Sequence, residues 1–334
     1  MTDRATVNQR VQWGVEATPG TAVAATKSVR SMQVDVQVGG ANELFRPDGH
    51  KFNSLVIPNM EWAALTLAGR PTYTEIIYPL TAMMGASTDT AVGTTGMRRV
   101  WTVDDIASMS KKTLTIEKGS AVRAEQVAFG LFTDMGFSFS RKNGITLSGQ
   151  GIGQLITDPF VLTASVADVP LVPVVGRQLD FFIDSSGATL GTTKMLRAFL
   201  VEQQIGNTLG PIWPLNSSMA SFADVVELAP TSTFRIRLEA DAAGMAYLSQ
   251  FRSGDTIFAR LLGTGAVFET VAGTPPTDYN YTFQYDACLG IKSPSNLGQD
   301  EEGVTVVDWE CELVRDSTWG KAFQVTVQND VAAL

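Results

Sequence analysis

Gly20-Thr21-Ala22-Val23-Ala24-Ala25-Thr26-Lys27-Ser28-Val29-Arg30 returns in kind as Gly187-Ala188-Thr189-Leu190-Gly191-Thr192-Thr193-Lys194-Met195-Leu196-Arg197. Lys194 lies 167 residues after Lys27, and the Gly, the Thr-Lys pair and the Arg keep that one spacing. The agreement continues through Val34/Val201, Asp35/Glu202, Gln37/Gln204 and Gly39/Gly206. Self-similarity sustained at a fixed spacing is the mark of a repeated structural unit.

Further matches follow in the same order. Leu65-Thr66-Leu67-Ala68 and Phe234-Arg235-Ile236-Arg237 alternate in the same phase. Thr72 and Asp241 each suit a helix N-cap, and Gly85 and Gly254 each suit its end. Beyond a variable insert, Thr113–Glu117 pairs with Thr282–Asp286. Phe137–Arg141 then pairs with Cys311–Arg315 at a spacing grown to 174, as loop insertions would produce. Two copies of one fold are therefore expected, over residues 1–157 and 178–334. A link at 158–177, stiffened by Pro159, Pro170 and Pro173, is expected to join them.

Short alternating segments dominate both halves, and Thr, Val, Gly and Phe are plentiful. The expected class is mainly β: two tandem β-barrel or sandwich domains, each with a flanking short helix. Pro79 predicts a kink or early stop in the first helix. The second, Ala242–Arg252, reads as the cleaner one, with Met245, Leu248 and Phe251 on a single buried stripe.

The 334 residues are 44% hydrophobic and 18% charged, values of a globular chain. Val161–Val175, the longest apolar stretch, holds Asp168, Pro170 and Pro173, so no transmembrane helix is expected. The opening Met-Thr-Asp-Arg-Ala-Thr lacks a secretory apolar region, which predicts synthesis in the cytoplasm. Residues 1–167 carry 15 Lys/Arg against 14 Asp/Glu, whereas 168–334 carry 10 against 20. No basic patch invites nucleic acid.

Catalytic signals are absent from the reading. The single histidine, His50, lies in the turn Pro47-Asp48-Gly49-His50 without a second histidine to share a metal. Cys288 and Cys311 read as buried thiols. No nucleophile elbow, phosphate loop or His-Glu-x-x-His helix occurs. Gly149-Gln150-Gly151-Ile152-Gly153 evokes a nucleotide loop but has the wrong glycine spacing, and reads as a flexible strand end. No catalytic, cofactor or metal residue is expected.

One pattern stands out. Asp308, Glu310 and Glu312 share a side of the strand Val304–Leu313, with Val307, Trp309, Cys311 and Leu313 on the other. Three carboxylates in a row need water or counter-ions. They form either a solvated outer face or a surface that repels polyanions, and Asp134, Gly136 and Ser138 are the matched positions in the first copy. Loops at 39–50 and 206–218 place Leu44, Phe45, Ile212 and Trp213 for contact with another subunit or with their own domain.

Trp13-Gly14-Val15-Glu16-Ala17-Thr18-Pro19-Gly20-Thr21-Ala22-Val23-Ala24-Ala25-Thr26-Lys27 resembles the start of the major tail tube proteins of long-tailed, siphovirus-like bacteriophages, where a Gly-Val-Glu-Thr-x-x-Gly-Thr-Ala-Val-Ala-like run is common. The resemblance implies a tube fold in duplicated form, with trimers whose six folds mimic a hexamer. Such rings stack into a hollow tube around a tape-measure protein, and viral DNA later passes through without specific binding. It implies assembly in the host cytoplasm, residence in the virion tail, and tail terminator and baseplate proteins as further partners. No enzyme activity, cofactor or membrane insertion is implied. Asp308, Glu310, Glu312 and Asp134 are the expected bore-lining residues, and Leu44, Phe45, Ile212 and Trp213 the expected inter-subunit ones. A baseplate hub or tail terminator of the same fold, and a two-domain β enzyme, are the rival readings.

Overall fold

The computed structural model describes residues 8–40, 42–103, 109–273 and 275–334. Its first half runs β1 (Arg10–Val15), β2 (Lys27–Val29), β3 (Met32–Gly39), β4 (Glu43–Phe45), β5 (Leu55–Ile57), β6 (Trp62–Gly69), α1 (Ile77–Met84), β7 (Thr88–Val92), β8 (Gly96–Thr102), β9 (Leu114–Gly119), β10 (Ala124–Ser140), β11 (Gly144–Gly153) and β12 (Ile156–Phe160). After the short β13 (Ala167–Asp168) come β14 (Leu179–Asp184), β15 (Ala198–Gly206), β16 (Leu209–Ile212), β17 (Asp224–Glu227), β18 (Thr231–Glu239), α2 (Leu248–Ser253), β19 (Thr256–Val271), β20 (Thr277–Glu301), β21 (Val304–Leu313) and β22 (Phe323–Asn329).

The pairing scheme occurs twice. In the first half β3, β6, β11 and the end of β10 form one antiparallel sheet, while β1, β9, the start of β10 and β12 form another. In the second half β15, β18, β21 and the end of β20 repeat the first sheet, and β14, β19, the start of β20 and β22 repeat the second. Each long strand crosses from one sheet to the other by breaking its ladder. β10 shifts register between Val127 and Gly130, where Phe129 takes φ 57°, and β20 shifts between Ile291 and Ser293. Bulges of this kind bend a strand without ending it.

Two matches made from spacing alone are corrected by this topology. β9, with Thr115–Glu117, corresponds to β19 and not to Thr282–Asp286 of β20. Phe137–Ser140 lies in β10 and so corresponds to β20, whereas Cys311–Leu313 lies in β21. Hence Asp308, Glu310 and Glu312 have Ser148, Gln150 and Ile152 as counterparts, because Thr66 faces Gln150 as Arg235 faces Glu310. The β7–β8 hairpin lengthens the first copy and the extended β19–β20 hairpin lengthens the second, so their effects on spacing largely offset.

Of the expected barrel or sandwich, no closed barrel is formed. Among the described residues the pairings branch but never return to their starting strand, and β3 and β7 each pair on one side only. The halves share a sheet, because Met135–Ser140 of β10 pairs with Leu200–Ile205 of β15. They also meet where β22 pairs with β8, and one continuous apolar core runs through both. The segment 158–177, expected as a stiff link, runs along the first copy. β12 pairs with β10, β13 runs parallel to β2, and Pro173 bridges to Thr72.

The helices invert the expected order of quality. Every residue of α1 is buried, and Pro79 causes no kink because it falls in the first turn, where its missing N–H has no intrahelical partner to lose. The Thr72 hydroxyl accepts from the Glu75 N–H ahead of that turn. Gly85, at φ 77°, closes the helix with its N–H on the Thr81 carbonyl. α2 is shorter than expected and has no fully buried residue, and Phe251 lies exposed. α1 packs on β10 and β8 of its own copy, and the turn ahead of it is held by the second copy: Asn329 Nδ2 donates to the Tyr73 carbonyl, and Tyr73 stacks on Tyr281 at 6.1 Å. Arg99, fully buried, donates to Asn329 Oδ1 and to the Val331 carbonyl, tying the chain's last residues over the helix.

Candidate functional site: a concave sheet face and its open edges

β10–β15 pairing makes one eight-strand sheet in the order β3-β6-β11-β10-β15-β18-β21-β20. Alternation sorts its side chains. Phe137, Phe139, Leu147, Val201, Phe234, Ile236, Val307 and Trp309 point into the core. On the opposite face the strands curve around a concavity of about 540 Å³ that exposes, among others, Ser138, Ser148, Glu202, Arg235, Glu310 and Glu312.

The expected acidic stripe lies on this face, but not as three bare charges. Asp308 is wholly buried by cations, accepting from Arg235 Nη2 at 2.7 Å, Arg237 Nε at 2.7 Å and Asn296 Nδ2 at 2.7 Å. Burial pushes its carboxyl up, yet the hydrogen bonds from Arg237, Asn296 and Arg235 outweigh that and hold it at about 2. The arginines reach further, Arg235 to Glu202 and Arg237 to Glu301. Glu312 takes Lys292 at 2.6 Å, and Glu310 accepts from the Ser295 hydroxyl at 2.8 Å. Sequence reading placed the carboxylates and missed the counter-ions. Arg235 and Arg237 were legible as a pair on one side of an alternating strand, although their strand neighbour was not. In the first copy the same face carries Ser138, Ser140, Thr146, Ser148 and Gln150, with Asp35, opposite Thr66, held by Lys118 at 2.7 Å.

Asp134, opposite Gln150 on the same sheet face, sits at the junction of the copies. One carboxylate oxygen accepts from the Asn207 N–H at 3.3 Å and the other from the Thr133 hydroxyl at 2.8 Å. Here the hairpin β16–β17 folds back onto the first copy. Leu209, Phe222 and Val225 are buried against Phe129 and Leu131, and Phe222 meets Phe129 edge-on at 5.1 Å. Trp213 packs on Trp62 and Phe222, each at 5.9 Å, so this residue is used within the chain, whereas Ile212 stays exposed. Burying each such large side chain contributes about 1.5–3 kcal/mol. Lys111 adds an ion pair to Asp224 at 3.1 Å.

The counterpart hairpin of the first copy, β4–β5, has no such floor. Leu44 and Phe45, with Leu55, Val56 and Ile57 across the ribbon, are all exposed. The edge beside it is also bare. Val38 of β3 is 63% exposed, while Ile205, its match on β15, is 4% exposed because β10 and its surroundings cover it. On the other end of the sheet, β20 beyond Gly290 pairs with β21 alone. Open sheet edges are templates for another strand.

His50 is exposed in its turn, its N–H on the Pro47 carbonyl. Cys288 and Cys311 are buried free thiols, with pKa values pushed up by burial to about 11 and about 12. The glycines of 149–153 belong to β11, where a Cβ on Gly151 would lie 2.1 Å from the Leu131 carbonyl oxygen. They permit close strand approach. Among the described residues no cluster of metal-ligating side chains occurs, and no helix is long and apolar enough to cross a membrane. No protein-family model matches the chain, and no curated protein matches it.

Proposed function

We propose that this chain is a structural protein of a bacteriophage tail tube, polymerising as trimeric rings that stack into a hollow conduit for viral DNA. The observation that carries the reading is the junction of β10 with β15, which adds copy to copy laterally within one chain. Repeating that junction between chains would set the open end of β20 against the open β3 of the next molecule. Three chains of eight sheet strands would close a ring of six copies with no free edge. The concave face would then line the bore. Its hydroxyls in the first copy, and its arginines already held by carboxylates in the second, would offer a passing polyanion no unneutralised cation among the described residues of the face. Unequal charge between the halves favours their alternation around the ring. Self-association, not a cleft with a poised acid and base, is what the surfaces serve.

Electron microscopy of the purified protein on concentration tests this reading. Hollow tubes or stacked annuli are expected. Isolated monomers at every concentration would refute it.

A further inference from the structure

Among the described residues the apolar ribbon β4–β5 has no partner, yet its counterpart shows where such a ribbon goes. Both hairpins leave the sheet at the same point, between β3 and β6 in one copy and between β15 and β18 in the other. β16–β17 reaches back across the copy-to-copy junction and clamps the preceding copy over Phe129, Leu131 and Trp62. A two-stranded ribbon with both faces in water is not stable by itself, and Leu44, Phe45, Leu55 and Val56 are 59%, 45%, 56% and 61% exposed.

We propose that β4–β5 is the clamp between chains of one ring: it lies over the second copy of the preceding molecule, another copy of this same chain. Leu131 faces Ile152 across β10–β11, and the matching positions across β20–β21 are Gly290 and Glu312. The floor for the ribbon is therefore the end of that hairpin, where Ile291 and Leu313 are half-buried and Val314 is exposed. The contact is lateral. A ribbon that instead gripped the next ring of a stack would leave single rings untouched. This inference rests on the ring reading above and adds to it the segment that locks the ring.

The test measures trimer formation by native mass spectrometry and analytical ultracentrifugation on three proteins: wild type, Phe45→Asp with Val56→Asp, and Val314→Asp. All three substituted side chains are exposed in the single chain, so superimposable thermal unfolding of the monomers is expected. The wild type is expected to form trimers, and both variants to form them roughly a hundredfold more weakly. Hydrogen exchange adds a readout free of mutation, with amides of residues 43–57 expected to slow on forming isolated wild-type rings. Full-strength trimers from the Phe45→Asp/Val56→Asp protein, whether or not they stack, overturn the clamp and leave the ring reading standing. Unslowed exchange at 43–57 in single rings overturns it as well. A wild-type chain that never trimerises overturns the ring itself.

Discussion

Val38→Asp is expected to leave the chain folded and to stop rings from closing. Val38 is 63% exposed in the single chain, so a carboxylate there meets water, and the change in folding stability should stay within about 0.5 kcal/mol. The cost falls on assembly. Its match on β15, Ile205, is 4% exposed at the junction that already exists, and an unpaired charge in such a place costs several kcal/mol. A loss of roughly 3 kcal/mol per interface would weaken each contact more than a hundredfold, and a ring has three. Ile205→Asp is the internal control, expected to destabilise the monomer itself. Denaturant unfolding measures the first effect, and ring mass at fixed concentration the second. Rings of normal strength from Val38→Asp would show that the β3 edge is not an interface.

Asp308→Ala is expected to be the most damaging change on the concave face. Removing one partner of a buried ion pair costs about 3–5 kcal/mol. Here Arg235 and Arg237 keep Glu202 and Glu301 and are partly exposed, so a loss of about 2 kcal/mol is expected. Asp308→Asn keeps the shape and part of the hydrogen bonding, and should lose less. The pH dependence follows from the depressed carboxyl. Its folded-state pKa is held at about 2, below the ordinary 3.8. Its stabilisation is therefore complete above about pH 4 and is lost as pH falls towards 2. Urea midpoints between pH 2 and pH 6 check this: the wild-type curve should fall more steeply at the acid end than that of Asp308→Asn. Parallel curves would mean that the Asp308 network contributes nothing.

The sequence carried the repeat but not its inner correspondences, for a physical reason. Thr-Lys near Lys27 and Lys194 is distinctive, and the structure pairs Lys27 with Trp13 of β1 and Lys194 with Phe182 of β14, equivalent places. Strands such as Thr113–Glu117 and Thr282–Asp286 share only a two-residue period, which every half-buried strand shares. Neighbours in a hairpin are then interchangeable until their partners are known. Pro79 misled because its effect depends on which turn it occupies, and α1 starts later than the Thr72 cap implies. The burial of α1 could not be read locally, since β10 and β8 pack on it and Asn329 reaches the Tyr73 carbonyl ahead of it from 256 residues away. The acidic stripe was legible because alternation assigns faces; its neutralisation was not, because Arg235 and Arg237 meet Asp308 only through the β18–β21 register.

The most direct measurement is a reconstruction, by electron cryomicroscopy, of the tube formed by the purified chain. Three chains per ring, with β20 of each hydrogen-bonded to β3 of the next and Glu310 and Glu312 turned to the bore, is the result expected. Six chains per ring, or a ring in which the outer edge of β3 stays open and this face looks outward, would contradict the account.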